Sequence, residues 1–181
     1  RLESRSTLVL LPSLLLLSKT LLDWLEHTKV GFRFLPVCSD QTVGRNGDDR
    51  ASLAVSELGC KATTDAGVIR DFLFSSGTKV IFSTYQSSGR IVEACAGGGP
   101  ATFDLIIADE AHRCAGRISS DYANVLKEQN LPSKHRLFMT ATPRVYTSRL
   151  RKVASDSGIE VASMDDEELF GPTLHHLTFG Q

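Results

Sequence analysis

The chain is poor in the features that would tie it to a structural metal, a membrane or a disulfide framework. Its four cysteines (Cys38, Cys60, Cys95 and Cys114) form no C-x-x-C pair, and its five histidines make no metal-ligand spacing with them. Isolated cysteines of this kind read as reduced thiols of a cytoplasmic protein. No apolar run reaches the roughly 20 residues needed to cross a bilayer. The Leu-rich stretch ending at Leu17 follows Arg1 and Arg5 and imitates a secretory leader. Pro12 interrupts it, no small-x-small site follows, and the apolar pattern continues past Lys19 with helical period, all of which argue against a leader. An excess of charge of one sign is missing too. The formal net charge is -1, so the overall balance gives no independent sign of a polyanionic partner. Finally, there is no G-x-x-x-x-G-K-[ST] sequence. Gly97-Gly98-Gly99 is followed by Pro100 rather than by a Lys-Ser/Thr pair opening a helix, and reads as a flexible connection.

What remains is an ordinary soluble composition, 41% hydrophobic and 23% charged over 181 residues, enough for one domain with a sizeable core. Short apolar runs alternate with helical patterns. Ser6 to Leu11 predicts a buried strand that Pro12 ends. Ser13 predicts an N-cap for a helix carrying Leu14, Leu17, Leu21, Trp24 and Leu25 on one face. A strand is expected over Phe32 to Cys38, then a long polar loop from Ser39 to Lys61 with a short element near Leu53 to Leu58. Thr63-Thr64-Asp65 caps a helix to about Phe74, with Val68, Ile69, Phe72 and Leu73 inward, closed by Gly77. Lys79 to Ser83 is the next strand, followed by a short helix with Ile91, Val92 and Cys95 buried. After Phe103 to Ala108, residues 114–119 read as a loop, and Ser119 or Ser120 caps a helix with Tyr122, Val125 and Leu126 inward. Arg136 to Met139 is a strand. Thr147 caps a last helix closed by Gly158, with Leu150 and Val153 beside a basic, solvated face of Arg149, Arg151 and Lys152. A short strand is expected over Ile159 to Ala162, and the acidic run from Asp165 to Glu168 opens a turn or linker. Strand and helix repeat about five times, which predicts a parallel α/β sheet covered on both faces.

The stretch Phe103 to His112 carries the chemistry. An apolar run suited to a strand buried on both faces ends in Asp109-Glu110-Ala111-His112. In open α/β sheets, ligands bind just outside the carboxyl ends of the strands. One carboxylate there can hold Mg²⁺, directly or through its water, while its neighbour orients an attacking water. The same letters also suit a strand followed by a capped helix.

Asp109-Glu110-Ala111-His112 resembles the DEAH form of motif II of superfamily 2 helicases and translocases. Thr140-Ala141-Thr142-Pro143, at the end of the following strand, resembles their motif III. Strand, Pro12-Ser13, helix resembles motif Ia, although Leu14 and Leu15 stand where many members carry a basic residue. Thr84-Tyr85-Gln86-Ser87-Ser88 resembles motif Ib of the translocase branch. Taken alone, the turns at Ser13 and Thr84 serve equally as capped strand-to-helix crossovers. Thr84-Tyr85-Gln86-Ser87-Ser88, Asp109-Glu110-Ala111-His112-Arg113 and Phe138-Met139-Thr140-Ala141-Thr142-Pro143-Arg144 look most like the helicase-like domains of type I, type III and single-chain restriction enzymes.

The resemblance implies an α/β fold, a RecA-like three-layer sandwich with a mostly parallel sheet. Residues 1–163 would be a partial N-terminal RecA-like domain spanning motifs Ia to III but without its P-loop strand, and 164–181 the start of a linker toward a second RecA-like domain. It implies ATP and Mg²⁺ as cofactors and DNA, double-stranded rather than single-stranded, as partner, together with the P-loop segment and second domain of a parent chain. Asp109 would hold the metal on the nucleotide's phosphates, and Glu110 would position the attacking water. His112, Thr140 and Thr142 would couple hydrolysis to movement, and Ser13, Thr84, Tyr85 and Gln86 would line the DNA path. The fragment by itself is expected to be inactive. Two other readings remain open: a degenerate RecA-like module that binds nucleic acid or protein without ATP chemistry, and a hydrolase using Asp109, Glu110 and His112 as metal ligands.

Overall fold

The computed structural model describes residues 3–39, 61–96 and 102–177. The element expected near Leu53 to Leu58 and the connection at Gly97 to Pro100 lie outside them. Five strands make the central sheet: β1 (Ser6–Leu11), β2 (Arg33–Val37), β3 (Lys79–Thr84), β4 (Phe103–Ala108) and β6 (Ser133–Phe138). Their order is β2-β3-β1-β4-β6, and every neighbouring pair is parallel. A separate pair, β5 (Gly116–Arg117) and β7 (Val161–Ala162), is antiparallel.

Alternation along β1 explains the layers. Val9 and Leu11 point to one face, where they pack with Val80, Phe82 and the inward face of α1 (Leu14–His27), chiefly Leu14, Leu17 and Leu21. Trp24 closes that layer, edge-on to Phe82 with ring centroids 5.4 Å apart. Leu8 and Leu10 point to the other face, against Ile81, Ile106, α2 (Ala66–Phe74) and α3 (Ser88–Ala96). Each fully buried leucine or isoleucine contributes about 1.5–3 kcal/mol. Both faces of a parallel sheet must be covered, which is why β1, β3 and β4 read as apolar runs. The outcome is the expected α/β three-layer sandwich.

Capping follows the expected chemistry. The Ser13 hydroxyl accepts from the Leu16 N–H at 3.3 Å, the Asp65 carboxylate from Gly67 and Val68, and the Thr147 hydroxyl from Leu150 at the start of α4 (Ser148–Asp156). At the amino ends of the strands, Asp104 clasps the sheet. Its carboxylate accepts the Arg5 and Ser6 N–H groups at 2.9 and 3.1 Å and the Lys134 ammonium at 2.7 Å. The buried Lys79 ammonium closes α2 by donating to the Leu73 carbonyl at 2.6 Å and to the Ser75 carbonyl. Burial, aided by Arg33, lowers its pKa.

Four expectations are corrected. Val68 is exposed, so Ile69 and Leu73 carry the buried face of α2 with Phe72 partly covered. Residues Asp121–Leu126 form a 3₁₀ rather than an α-helix. Strand β6 begins at Ser133, ahead of the apolar residues. Within the stretch expected to start a linker, a short helix, α5 (Glu167–Phe170), places Phe170 against Phe138, centroids 5.1 Å apart, and Met164 also packs on the core.

Candidate active site

Strands β4 and β6 run side by side in the same direction, so the residues leaving their carboxyl ends meet. The Asp109 N–H bonds the Leu10 carbonyl at 3.0 Å, the Met139 N–H bonds Ala108 at 2.9 Å, and the Ala111 N–H bonds Met139 at 2.8 Å. These three backbone bonds fix the acid turn against β1 and the segment leaving β6. Within the turn, Glu110 is the one non-glycine among the described residues with positive φ (φ 51°, ψ 45°). A left-handed non-glycine residue is a strained conformation that its surroundings must impose. It redirects the chain from the strand into the 3₁₀ turn Ala111–Arg113 and throws the Glu110 side chain toward His112.

His112 is the junction. Its Nδ1 lies 3.2 Å from the Glu110 carboxylate, 3.0 Å from the Thr140 hydroxyl and 3.4 Å from the Thr142 hydroxyl. One ring nitrogen cannot satisfy three oxygens. Protonated, it donates to Glu110; unprotonated, it accepts from a threonine hydroxyl. The Thr142 N–H also bonds the Thr140 hydroxyl at 3.2 Å, so the two threonines form one small hydrogen-bonded unit. Glu110, His112, Thr140 and Thr142 are thus joined through hydrogen bonds, and Asp109 directly precedes Glu110 in the same turn.

The turn after β3 departs from expectation. Thr84 and Tyr85 are 1% and 0% exposed. The Thr84 hydroxyl donates to Ser87 at 3.1 Å, and the Tyr85 hydroxyl donates to the Asp109 carbonyl at 2.7 Å. Neither side chain reaches a solvent-facing path, so both are corrected from DNA-lining residues to buried supports of the turn. Gln86 is exposed and its side-chain amide donates to the Tyr122 hydroxyl at 2.7 Å. Ser13 is half-buried, its hydroxyl engaged as a helix cap.

Two residues near the acid turn escape sequence reasoning. Tyr122 stacks on Tyr85, with centroids 5.3 Å apart and planes at 25°. Cys114 is buried with its thiol against the Tyr85 hydroxyl, and burial pushes that thiol up to about 12. Burial, reinforced by Cys114 and Asp109, pushes the Tyr85 phenol well above its ordinary range. The spacing marks Tyr122 only as an inward-facing residue and does not mark Cys114; only the fold joins them to Asp109.

Asp109 fits a divalent cation of the Mg²⁺ type. One of its carboxylate oxygens is bonded by the Glu110 N–H at 3.0 Å, and the residue is half-buried at the sheet's rim. No group of three or more His, Cys, Asp or Glu suited to holding a metal occurs among the described residues.

A parallel sheet with an acid turn and a Thr-Ala-Thr turn at adjacent carboxyl ends defines a helicase-like RecA domain of superfamily 2. Residues 1–145 match the family model described as "Type III restriction enzyme, res subunit", and the chain belongs to that family. It is similar to the probable helicase A859L of African swine fever virus (isolate Pig/Kenya/KEN-50/1950), with 32% identity over 126 residues, covering 69% of this chain and 12% of the relative. Among solved structures, it resembles the Type ISP restriction-modification enzyme LlaGI, determined as a nuclease-deletion mutant in complex with a DNA substrate mimic (34% identity, TM-score 0.66, covering 92% of this chain and 12% of that one). It also resembles LlaBIII, an ATP-dependent Type ISP enzyme bound to DNA (32% identity, TM-score 0.69, covering 97% and 12%). The chain thus spans about an eighth of the length of these relatives. Among the described residues, no helix is long and apolar enough to cross a membrane.

Proposed function

We propose that this chain is the acid-bearing part of an ATP-dependent motor that moves on double-stranded DNA, in a restriction-type enzyme. One observation carries the reading: three oxygens, from Glu110 on one strand end and from Thr140 and Thr142 on the next, converge on a single nitrogen of His112. In this reading Asp109 would hold Mg²⁺, and the ion, when bound, would supply neutralisation of phosphate charge. Glu110 orients the attacking water. Its pairing with His112 competes with that task, so the hydrogen-bond partner His112 takes decides whether Glu110 is free. Because Thr140 and Thr142 compete for the same nitrogen, a shift of the segment leaving β6 changes the state of Glu110. That is a route from hydrolysis to mechanical change.

Ser13 and Gln86 stand at the strand ends where a nucleic-acid backbone would pass, Gln86 as a direct contact and Ser13 through the helix start it caps. The P-loop and the second RecA-like domain would be supplied by other parts of the parent chain. In this reading residues 1–163 form part of the motor domain, and the stretch that leads on to the linker first packs Met164 and Phe170 on its core. DNA contacts made by the relatives in their complexes support the DNA partner, and ATP dependence in LlaBIII supports the cofactor.

The deciding experiment is DNA-stimulated ATP hydrolysis by the full-length parent carrying Glu110→Gln. Loss of about two or more orders of magnitude in kcat is expected for removing a water-positioning carboxylate. Retained turnover would sink the assignment and favour a nucleic-acid-binding module without ATP chemistry.

A further inference from the structure

The acid turn is held from behind by a residue that the motif reading assigns elsewhere. The geometry points to Tyr85, seated by Tyr122, as the positioning residue that fixes the Asp109–Glu110 backbone. This inference rests on the proposed motor function and deepens it.

The Tyr85 ring is wholly buried, and its hydroxyl donates to the Asp109 carbonyl at 2.7 Å. That carbonyl belongs to the peptide linking the two acids, immediately before the left-handed Glu110. A bond to this peptide fixes the direction in which both carboxylates leave the strand. Tyr85 has little freedom of its own. Tyr122 stacks on it at 5.3 Å, and the Cys114 thiol lies against its hydroxyl. Tyr122 is held in turn by Gln86, whose amide donates to its hydroxyl at 2.7 Å.

The backbone around the pair is pinned as well. The Ser88 hydroxyl donates to the Asp121 carbonyl at 3.0 Å, the Asn124 amide to Ser88 at 3.0 Å, and the Asn130 amide to Asn124 at 2.9 Å. This chain of bonds ties the turn after β3 to the 3₁₀ segment Asp121–Leu126. A tyrosine used only to fill volume would need no partner for its hydroxyl beyond some buried acceptor. Here the acceptor is the peptide between the two acids, and the supports of the ring come from two separate segments.

The test compares Tyr85→Phe, Glu110→Gln and a core control, Ile69→Val, in the full-length protein, measuring kcat for ATP hydrolysis, the DNA concentration for half-maximal stimulation, and thermal stability. Phenylalanine keeps the stack and removes one hydrogen bond. Loss of one bond of this kind predicts a fall in kcat of up to about tenfold, with DNA half-saturation unchanged. Ile69→Val is expected to lower stability while leaving kcat intact, which separates positioning from general loosening. Three results overturn the inference: wild-type kcat in Tyr85→Phe, a raised DNA half-saturation with unchanged kcat (Tyr85 then touches DNA), or an equal loss of kcat in Ile69→Val. If Glu110→Gln itself stays active, the motor reading fails first and this inference falls with it. If Glu110→Gln is dead and Tyr85→Phe is normal, the inference fails alone.

Discussion

Replacing Glu110 with glycine should leave the domain more stable than replacing it with glutamine, while both changes destroy its activity. The residue sits at φ 51°, ψ 45°, in the left-handed region. For an L-residue with a Cβ this conformation costs about 1–2 kcal/mol. Glycine removes that cost but brings extra backbone entropy to the unfolded chain, worth about 0.5–1 kcal/mol. The difference leaves a net gain of about 0.5–1 kcal/mol. Against it stands the lost contact with His112. The Glu110 side chain is 40% exposed, and a pair exposed to this degree contributes about 0–1 kcal/mol.

Glu110→Gln separates the two terms, because it loses the charge pair and keeps the strained backbone. Glycine should therefore exceed glutamine by about 0.5–1 kcal/mol, or roughly 1–4 °C in Tm for a chain of this size. Glu110→Ala, with strain retained and the side chain gone, should be no more stable than glutamine. Thermal melts and urea titrations followed by the fluorescence of Trp24, the sole tryptophan, measure the order directly. A glycine variant less stable than the glutamine variant would refute the reasoning, because the turn would then not be strained by its side chain.

Other consequences can be checked on the same chain. The Lys134 ammonium, with the Arg5 and Ser6 amides, holds the Asp104 carboxyl below its ordinary range. The stability this clasp contributes is present above the unfolded carboxyl's ordinary pKa and lost as pH falls through the lowered folded value. Asp104→Asn should therefore cost about 1–2 kcal/mol at pH 7 and flatten the acid limb of the stability profile below about pH 4; urea midpoints at both pH values decide it. Cys95 and Cys114 are buried, with thiols pushed up by burial to about 11 and about 12. Both should resist alkylation at pH 8 until the domain unfolds, and peptide mass spectrometry would contradict this by finding early labelling at either site. Thr147→Ala should remove about 1 kcal/mol from the start of α4. Because α4 buries none of its residues, the effect should appear as faster amide exchange within that helix rather than as a shift in global Tm.

The sheet was legible because burial on both faces leaves apolar runs in β1, β3 and β4, and because Pro12, Ser13, Asp65 and Thr147 mark element boundaries by chemistry. The acid turn and the Thr-Ala-Thr turn were legible for the same reason, each closing an apolar strand with polar groups of a particular kind. Sequence reasoning failed where one residue served two patterns. Tyr85 follows a strand and looks like a surface contact, yet its ring completes the core and its hydroxyl serves the backbone of a strand two positions away in the sheet. Ser133, Lys134 and His135 are polar because β6 borders the described sheet on one side only, so no apolar run announced where it starts. The two-residue strand β5 is too short to show any alternation, whereas β7 falls inside the short strand expected over Ile159 to Ala162.

All five strands of the sheet point the same way, and this divides the molecule's tolerance to change into two territories. The amino-end rim carries the Asp104 clasp and the Lys79 cap, which hold the elements together and touch nothing reactive. The carboxyl-end rim carries the strained Glu110 and the shared nitrogen of His112, and in the proposed motor this strain and these competing hydrogen bonds would serve chemistry at the expense of stability. Drift at the first rim should be read out as abundance, and drift at the second as altered turnover in a protein that still accumulates. A survey of random variants, scored separately for soluble yield and for activity, should therefore split along the axis of the strands.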